Sequence, residues 1–211
     1  YYLFDIEITG LMKQKNLLRA PLKTGLYDPS YEKDSCGVGM VANIKGVPSR
    51  EIMEDAYLVN SRMDHRGGCG FEENTGDGAG ILVALPHNFF KKISKEIDIN
   101  LPEKGSYSVG NIFLPQKKKE REFCKKEIEK IINSEDQICL GWRPVPVDPE
   151  KADVGPAARL SQPVIEQLFI GSNQEIDQNE FERKLYLIRK QFSHKLRTET
   201  KLTQASLLFA C

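Results

Sequence analysis

"KDSCGVGMVANIKG", residues 33–46, is the stretch on which the reading of this chain turns. Ahead of it the pattern is weak. Pro21, Gly25, Asp28-Pro29-Ser30 and Lys33-Asp34-Ser35 are turn and loop chemistry, so residues 1–35 read as a leader and not as core. The pattern changes at Cys36. Val38, Met40, Val41 and Ile44 suit a buried strand, and Lys45-Gly46 a turn. Pro48 and Ser49 then open a helix with Glu51 in its first turn, and Ile52, Ala56, Val59 and Met63 recur at helical spacing.

Outward from there, Gly67 to Gly80 is a glycine-dense loop that leads into an apolar strand, Ile81 to Leu85, and a short helix, His87 to Ile97. A strand over Tyr107 to Leu114 precedes a charged helix, Lys117 to Asn133, with Phe123, Ile128, Ile131 and Ile132 facing inward. Gln137 to Val147 is extended, and Pro144 and Pro146 place it at a sheet edge, because proline cannot donate to a ladder. Pro163 to Ile170 is another strand. Asp177 to Lys195 is a long helix with Phe181, Leu185, Ile188 and Phe192 as its stripe and Asp177 as its cap. Ser206 to Cys211 starts a further strand. Strands and helices in this mixture predict a layered α/β or α+β domain.

Composition narrows the function classes. Of 211 residues, 40% are hydrophobic and 28% charged, enough to bury a core. Thirty basic and thirty acidic residues cancel, which gives no support to nucleic-acid binding; Lys117-Lys118-Lys119 reads as a solvated helix start. No apolar run approaches the roughly 20 residues of a membrane helix. Five cysteines, an odd number without a CxxC pair, argue against a disulfide framework and for a reducing compartment; which one, cytoplasm or plastid, is left open. His65 and Cys69 are spaced as metal ligands can be, but no second pair supports them, and no metal is expected. Trp142 reads as a packing anchor, His87 as a helix-start residue and His194 as exposed. The chain begins at Tyr1 and stops at Cys211 inside an apolar run, so a fragment is expected.

The segment "GLYDPSYEKDSCGVGM" resembles the processing junction of glutamate synthase large chains. The likeness continues through "MDHRGGCGFEENTGDGAGILVALPH", "GNIFLPQ", "GWRPVPVD", "PVIEQLFI" and "FERKLYLIRKQ", and so covers essentially all of Cys36 to Cys211. "NTGDGAGILVALPH" is most similar to the pyridine-nucleotide-dependent type. The resemblance implies a class II glutamine amidotransferase domain with the α+β fold of N-terminal-nucleophile (Ntn) hydrolases. That fold is an αββα four-layer sandwich, here incomplete at its C-terminal end. It further implies that residues 1–35 are removed as a propeptide, so that Cys36 becomes residue one.

The chemistry explains why a cysteine would sit there. A thiol near pKa about 8.5 needs a base, and a free α-amine near about 7.7–8.0 supplies one on the same residue. An internal Cys36 has only an amide nitrogen, which is no base. Arg66 in "HRGG" is implied to line the active site, where a guanidinium can hold several oxygens in one plane. Read without the family, it would be an ordinary cation at a helix C-terminus. "NTGDGAG" lacks the Lys-Ser/Thr ending of a phosphate loop. Its glycines suit a tight strand entry, with Asp77 bracing the turn; the resemblance implies that this loop lies near the glutamine pocket, with Asp77 as a supporting residue.

Two family segments do not occur in the sequence: the "RFSTN" type that anchors the glutamine α-carboxylate, and the "HNGE" type that forms the oxyanion hole. The fragment is therefore expected to be close to inactive alone, and open sheet edges would leave apolar faces uncovered. The implied substrate is L-glutamine, and the implied partners are the remaining synthase domains. FMN, an iron–sulfur cluster, and NAD(P)H or ferredoxin as electron donor belong by resemblance to the parent enzyme, with no fingerprint in this chain. Another class II amidotransferase, or a non-catalytic truncated product, are the alternatives.

Overall fold

The computed structural model describes residues 37–63, 72, 75–76, 78–173, 176–199 and 206–210. They fall into two compact units. The first gathers the described residues of 83–148 and 161–211, the second those of 12–82 and 149–160.

The first unit is built on one antiparallel sheet of β1 (Tyr107–Leu114), β2 (Gln137–Pro144), β3 (Val164–Ser172) and β4 (Ser206–Ala210), in the order β2-β3-β1-β4. β1 runs against β3 from Tyr107↔Gly171 to Leu114↔Val164, and against β4 from Val109↔Ala210 to Phe113↔Ser206. β2 lies at an edge, as its terminal proline requires, and its ladder to β3 shifts register between Cys139 and Gly141.

Side chains alternate across a strand, so the sheet presents two faces. Ile112, Leu114, Leu168 and Ile170 point to one face, where α3 (Lys118–Ser134) and α5 (Gln178–Glu199) cover them. α3 contributes Cys124, Ile128, Ile131 and Ile132, and α5 contributes Phe181, Leu185, Ile188, Phe192 and Leu196. The opposite face carries Tyr107, Val109 and Phe169, which pack with Phe90 and Ile93 of α2 (His87–Glu96) and with Ile99. The Phe90 and Phe169 rings meet edge to face at 5.5 Å, a favoured aromatic geometry.

Several polar groups at the rims are matched. Asp177 caps α5 as expected: its Oδ1 accepts from the Asn179 and Glu180 amides at 2.7 and 3.1 Å. Glu127 receives Lys130 and Lys195, each at 2.5 Å. Trp142 anchors the edge strand: its indole N–H donates to Glu129 at 2.7 Å, and Lys125 Nζ stands 4.5 Å from its ring centroid. His87 opens α2, with Nδ1 3.0 Å from the Tyr107 hydroxyl, and His194 is exposed. One inward assignment fails. Phe123 is 40% exposed and its neighbour Cys124 takes the buried place, because the stripe of α3 is set by Ile128, Ile131 and Ile132, and Cys124 falls on their face.

The second unit contains α1 (Arg50–Arg62) and the short α4 (Pro156–Ser161), whose last residue falls in the first unit. Ser49 caps α1, its hydroxyl accepting from the Ile52 amide at 3.3 Å. Lys45-Gly46 is the expected turn, organised by Asn43, whose Oδ1 accepts from the Lys45 and Val47 amides.

Two expected strands do not form. Residues 37–43 form no ladder, Ile44 already belongs to the turn, and Val38 (84%), Met40 (89%) and Ile44 stand exposed. Ile81 to Leu85 also lacks strand pairing, with Ile81, Leu82 and Val83 exposed. Periodicity sets which side chains share a face, but a strand exists only where a neighbour takes its N–H and C=O groups. The architecture is α+β with a small antiparallel sheet. Among the described residues no helix is long and apolar enough to cross a membrane.

Candidate active site

Cys36, Arg66 and Asp77 lie outside the described residues, as do His65, Cys69 and Cys211. What the structure describes is the frame on either side of them.

The frame begins one residue after Cys36. The backbone at Gly39 runs directly over α1: a Cβ there would collide with Val59 Cγ1 and approach Met63 Cε to 3.2 Å. No side chain larger than hydrogen fits. The segment following Cys36 is therefore seated on the Val59–Met63 edge of α1, the same edge the helical spacing singled out. Ile52, Ala56, Val59 and Met63 are the half-buried stripe of this helix, although none of its residues is fully buried.

α1 ends at Arg62, with Met63 as its C-cap and the Met63 amide bonded to the Asn60 and Ser61 carbonyls. The basic residue in its last turn is Arg62.

The glycine-dense loop re-enters the description at Glu72, and here the structure holds something that sequence reasoning missed. The Glu72 carboxylate accepts the Ala157 amide at 2.7 Å on Oε1, and the Ala158 amide at 3.3 Å and the Thr75 hydroxyl at 2.9 Å on Oε2. The Thr75 amide returns to the Glu72 carbonyl at 3.1 Å. Ala157 and Ala158 are the second and third residues of α4, so Glu72 caps that helix from 85 residues away. The Ala157 amide holds the Glu72 carboxyl below its ordinary 4.5, with the Thr75 hydroxyl and Ala158 amide acting alongside it and desolvation acting against.

The seat is prepared by the loop before α4. Arg159 donates to the Val154 carbonyl at 2.7 Å, to the Pro149 carbonyl at 3.2 Å and to both oxygens of Glu150, which closes residues 149–155. That pairing lowers the Glu150 pKa and raises that of Arg159. A signal for α4 is present in the sequence: Pro156 is a favoured first helical residue. The distant capping partner has no sequence signature.

The described thiols are of another kind. Burial pushes Cys124 and Cys139 up to about 11, so both are protonated near neutrality and are poor nucleophiles. Among the described residues no cluster of three or more His, Cys, Asp or Glu side chains could hold a metal ion.

Comparison with known proteins bears on the same residues. The family model for class-II glutamine amidotransferases matches residues 36–211. The chain is 46% identical over 172 residues to the glutamate synthase (NADPH) large chain of Bacillus subtilis, covering 81% of this chain and 11% of that relative. It is 40% identical over 195 residues to glutamate synthase (NADH) of Saccharomyces cerevisiae, covering 89% and 9%. It is 37% identical over 201 residues to ferredoxin-dependent glutamate synthase 1 (chloroplastic/mitochondrial) of Arabidopsis thaliana, covering 93% and 12%. The chain thus spans about a tenth of the length of these curated relatives. The match opens on the residue ahead of the seated Gly37–Met40 segment and runs to Cys211: the chain belongs to the class-II glutamine amidotransferase family.

Proposed function

We propose that this chain is the glutamine-hydrolysing part of a glutamate synthase, with Cys36 as its N-terminal nucleophile. The observation that carries the reading is the family match starting at Cys36, supported by the close seating of Gly39 on α1 just behind it.

In this reading residues 1–35 are a propeptide. Cleavage before Cys36 frees an α-amine that takes the thiol proton, directly or through water. The thiolate attacks the side-chain amide carbon of glutamine. A sulfur–carbon bond forms, the carbon–nitrogen bond breaks, and ammonia leaves with the transferred proton. Water then hydrolyses the thioester to glutamate and restores the thiol. Arg66 lines the site, and Asp77 braces the loop at the glutamine pocket. The α-carboxylate anchor and the oxyanion donors are assigned to parts of the parent protein outside these 211 residues.

The parent passes the ammonia to its synthase domains, where 2-oxoglutarate becomes glutamate. FMN, an iron–sulfur cluster and NAD(P)H or ferredoxin serve that reaction. The described residues of this chain do not fit an iron–sulfur cluster: they offer two thiols, the buried Cys124 and the half-buried Cys139, where a cluster takes four ligands. No step here is routed through those groups. The fold of the complete domain is the αββα four-layer sandwich, to which the β1–β4 sheet with α3 and α5 contributes one sheet and one helical layer.

Mass spectrometry of the full-length protein tests this. A mature chain beginning at Cys36 and alkylated there by a glutamine-analogue electrophile is expected. A chain that keeps Ser35 and still hydrolyses glutamine at full rate contradicts it.

A further inference from the structure

We propose that Arg143, Gln167 and Asn111 form a docking row for an acidic side chain, carried on an apolar segment of the parent protein outside these 211 residues. The proposal rests on the reading above that the chain is part of a longer synthase.

Sheet register sets the row. Arg143 stands opposite Gln167 on β3, and Gln167 opposite Asn111 on β1. Residues paired across a ladder share a face, so the three side chains lie side by side. The face is that of Val109 and Phe169, which stand two residues from Asn111 and Gln167 along their strands. The neighbouring row on one side is Val109 opposite Phe169, buried and packed with Phe90. On the other side Phe113 faces Ile165, and the Val145 amide donates to the Ile165 carbonyl at 2.9 Å; all three residues are half-buried. A polar stripe thus runs between two apolar ones.

The stripe is rich in donors. Arg143 Nη1 donates to Gln167 Oε1 at 2.8 Å, and the Phe89 ring of α2 is centred 6.0 Å from Arg143 Cζ. That bond uses the Gln167 carbonyl and leaves its amide NH2 to donate. The other guanidinium N–H groups and the NH2 groups of Gln167 and Asn111 meet no acceptor among the described residues. Arg143 is half-buried and has no carboxylate partner among them, whereas on the opposite face Glu166 takes Arg121 and Lys125 at 3.9 and 2.8 Å.

The apolar rows and the donors together select the occupant. Apolar rows are stabilised by cover that removes them from water. Purely apolar cover would bury the guanidinium and two amides without acceptors, which is costly. A segment with one carboxylate among apolar residues meets both demands, its oxygens taking the fork of Arg143 and a neighbouring amide. Relatives of which this chain covers 9–12% carry the further chain from which such a segment would come.

The test is made in the full-length protein carrying Arg143→Lys, which keeps the charge and supplies an amine that a water-soluble carbodiimide joins to a carboxylate in contact with it. Peptide mass spectrometry is expected to find one new amide bond, between position 143 and an Asp or Glu outside residues 1–211, absent from the unsubstituted protein. Replacing that acid by its amide is expected to abolish the link. Without cross-linker, Arg143→Met is expected to speed amide exchange in β2 and β3 about tenfold, Asn111→Ala to do so less, and Arg143→Met to add nothing once the acid is replaced. A link within residues 1–211, to a second copy or to a small carboxylic acid, or no link at all, overturns the proposal. Such a failure in a protein that begins at Cys36 and hydrolyses glutamine leaves the glutaminase reading standing. A parent polypeptide with no chain beyond these residues overturns the reading of a longer synthase, and this inference with it.

Discussion

The two units of this chain are held together in different ways. In the first, Ile112, Leu114, Ile128, Leu168, Ile170 and Ile188 are wholly buried, and two helices close over one face of a paired sheet. In the second, no residue of α1 is buried, and Val38, Met40 and Ile44 stand in the open. Order there comes from close contacts and single polar seats: Gly39 on Val59, Glu72 on the amides of α4, Arg159 across residues 149–155. The described residues that flank Cys36, Arg66 and Asp77 along the chain belong with the second kind. The difference teaches that, if the proposed function holds, damage to this protein should separate by unit, with stability lost in the first and glutaminase kinetics in the second.

Substitutions can break or sharpen that division. The largest effect is expected from Phe192→Ala, which empties a buried site between α5 and the sheet. It should destabilise the first unit by about 3–5 kcal/mol, read as faster exchange of β1 and β3 amides. If those amides are unmoved, the core does not carry the unit. Gly39→Val comes next. It forces the segment behind Cys36 off Val59 and should lower kcat/KM for glutamine at least about tenfold, or about 1.4 kcal/mol, leaving β1 and β3 exchange unchanged. Trp142→Phe removes the donor to Glu129 and should cost the first unit about 1 kcal/mol with no change in glutaminase kinetics.

Acid sharpens the comparison within the first unit. Lys130 and Lys195 hold Glu127 below the ordinary 4.5, chiefly through their hydrogen bonds. A depressed carboxylate contributes stability that is fully present above its unfolded value and lost as pH falls through the folded one. Exchange in α3 and α5 should therefore accelerate below about pH 4.5, and Glu127→Gln should remove that part of the acid sensitivity. The smallest effect belongs to the exposed Arg50–Glu54 pair on α1: Arg50→Ala should cost no more than about 0.5 kcal/mol by exchange of the α1 amides.

The sequence was most legible where periodicity and burial agree. Tyr107 to Leu114 is the strand its alternation predicts, and the stripe Phe181, Leu185, Ile188, Phe192 is buried in full. Asp177 and Ser49 are the caps their chemistry suggests, and Pro144 ends an edge strand. Reading failed where a second segment decides the outcome. Val38 to Ile44 and Ile81 to Leu85 alternate or run apolar like strands, but pairing depends on a neighbour that local pattern cannot name. Cys124 replaced Phe123 because α3 answers to the sheet beneath it. Of the site, Cys36, Arg66 and Asp77 came from motif likeness and lie outside the described residues. The Glu72 cap of α4 emerged only from a contact 85 positions apart in the chain (157 − 72).

The most direct measurement is glutamine hydrolysis by the full-length protein with Cys36 replaced by alanine. The account predicts loss of at least about 10³-fold in kcat, with the exchange of β1 and β3 amides unaltered. Turnover of glutamine at the native rate in that variant would contradict it.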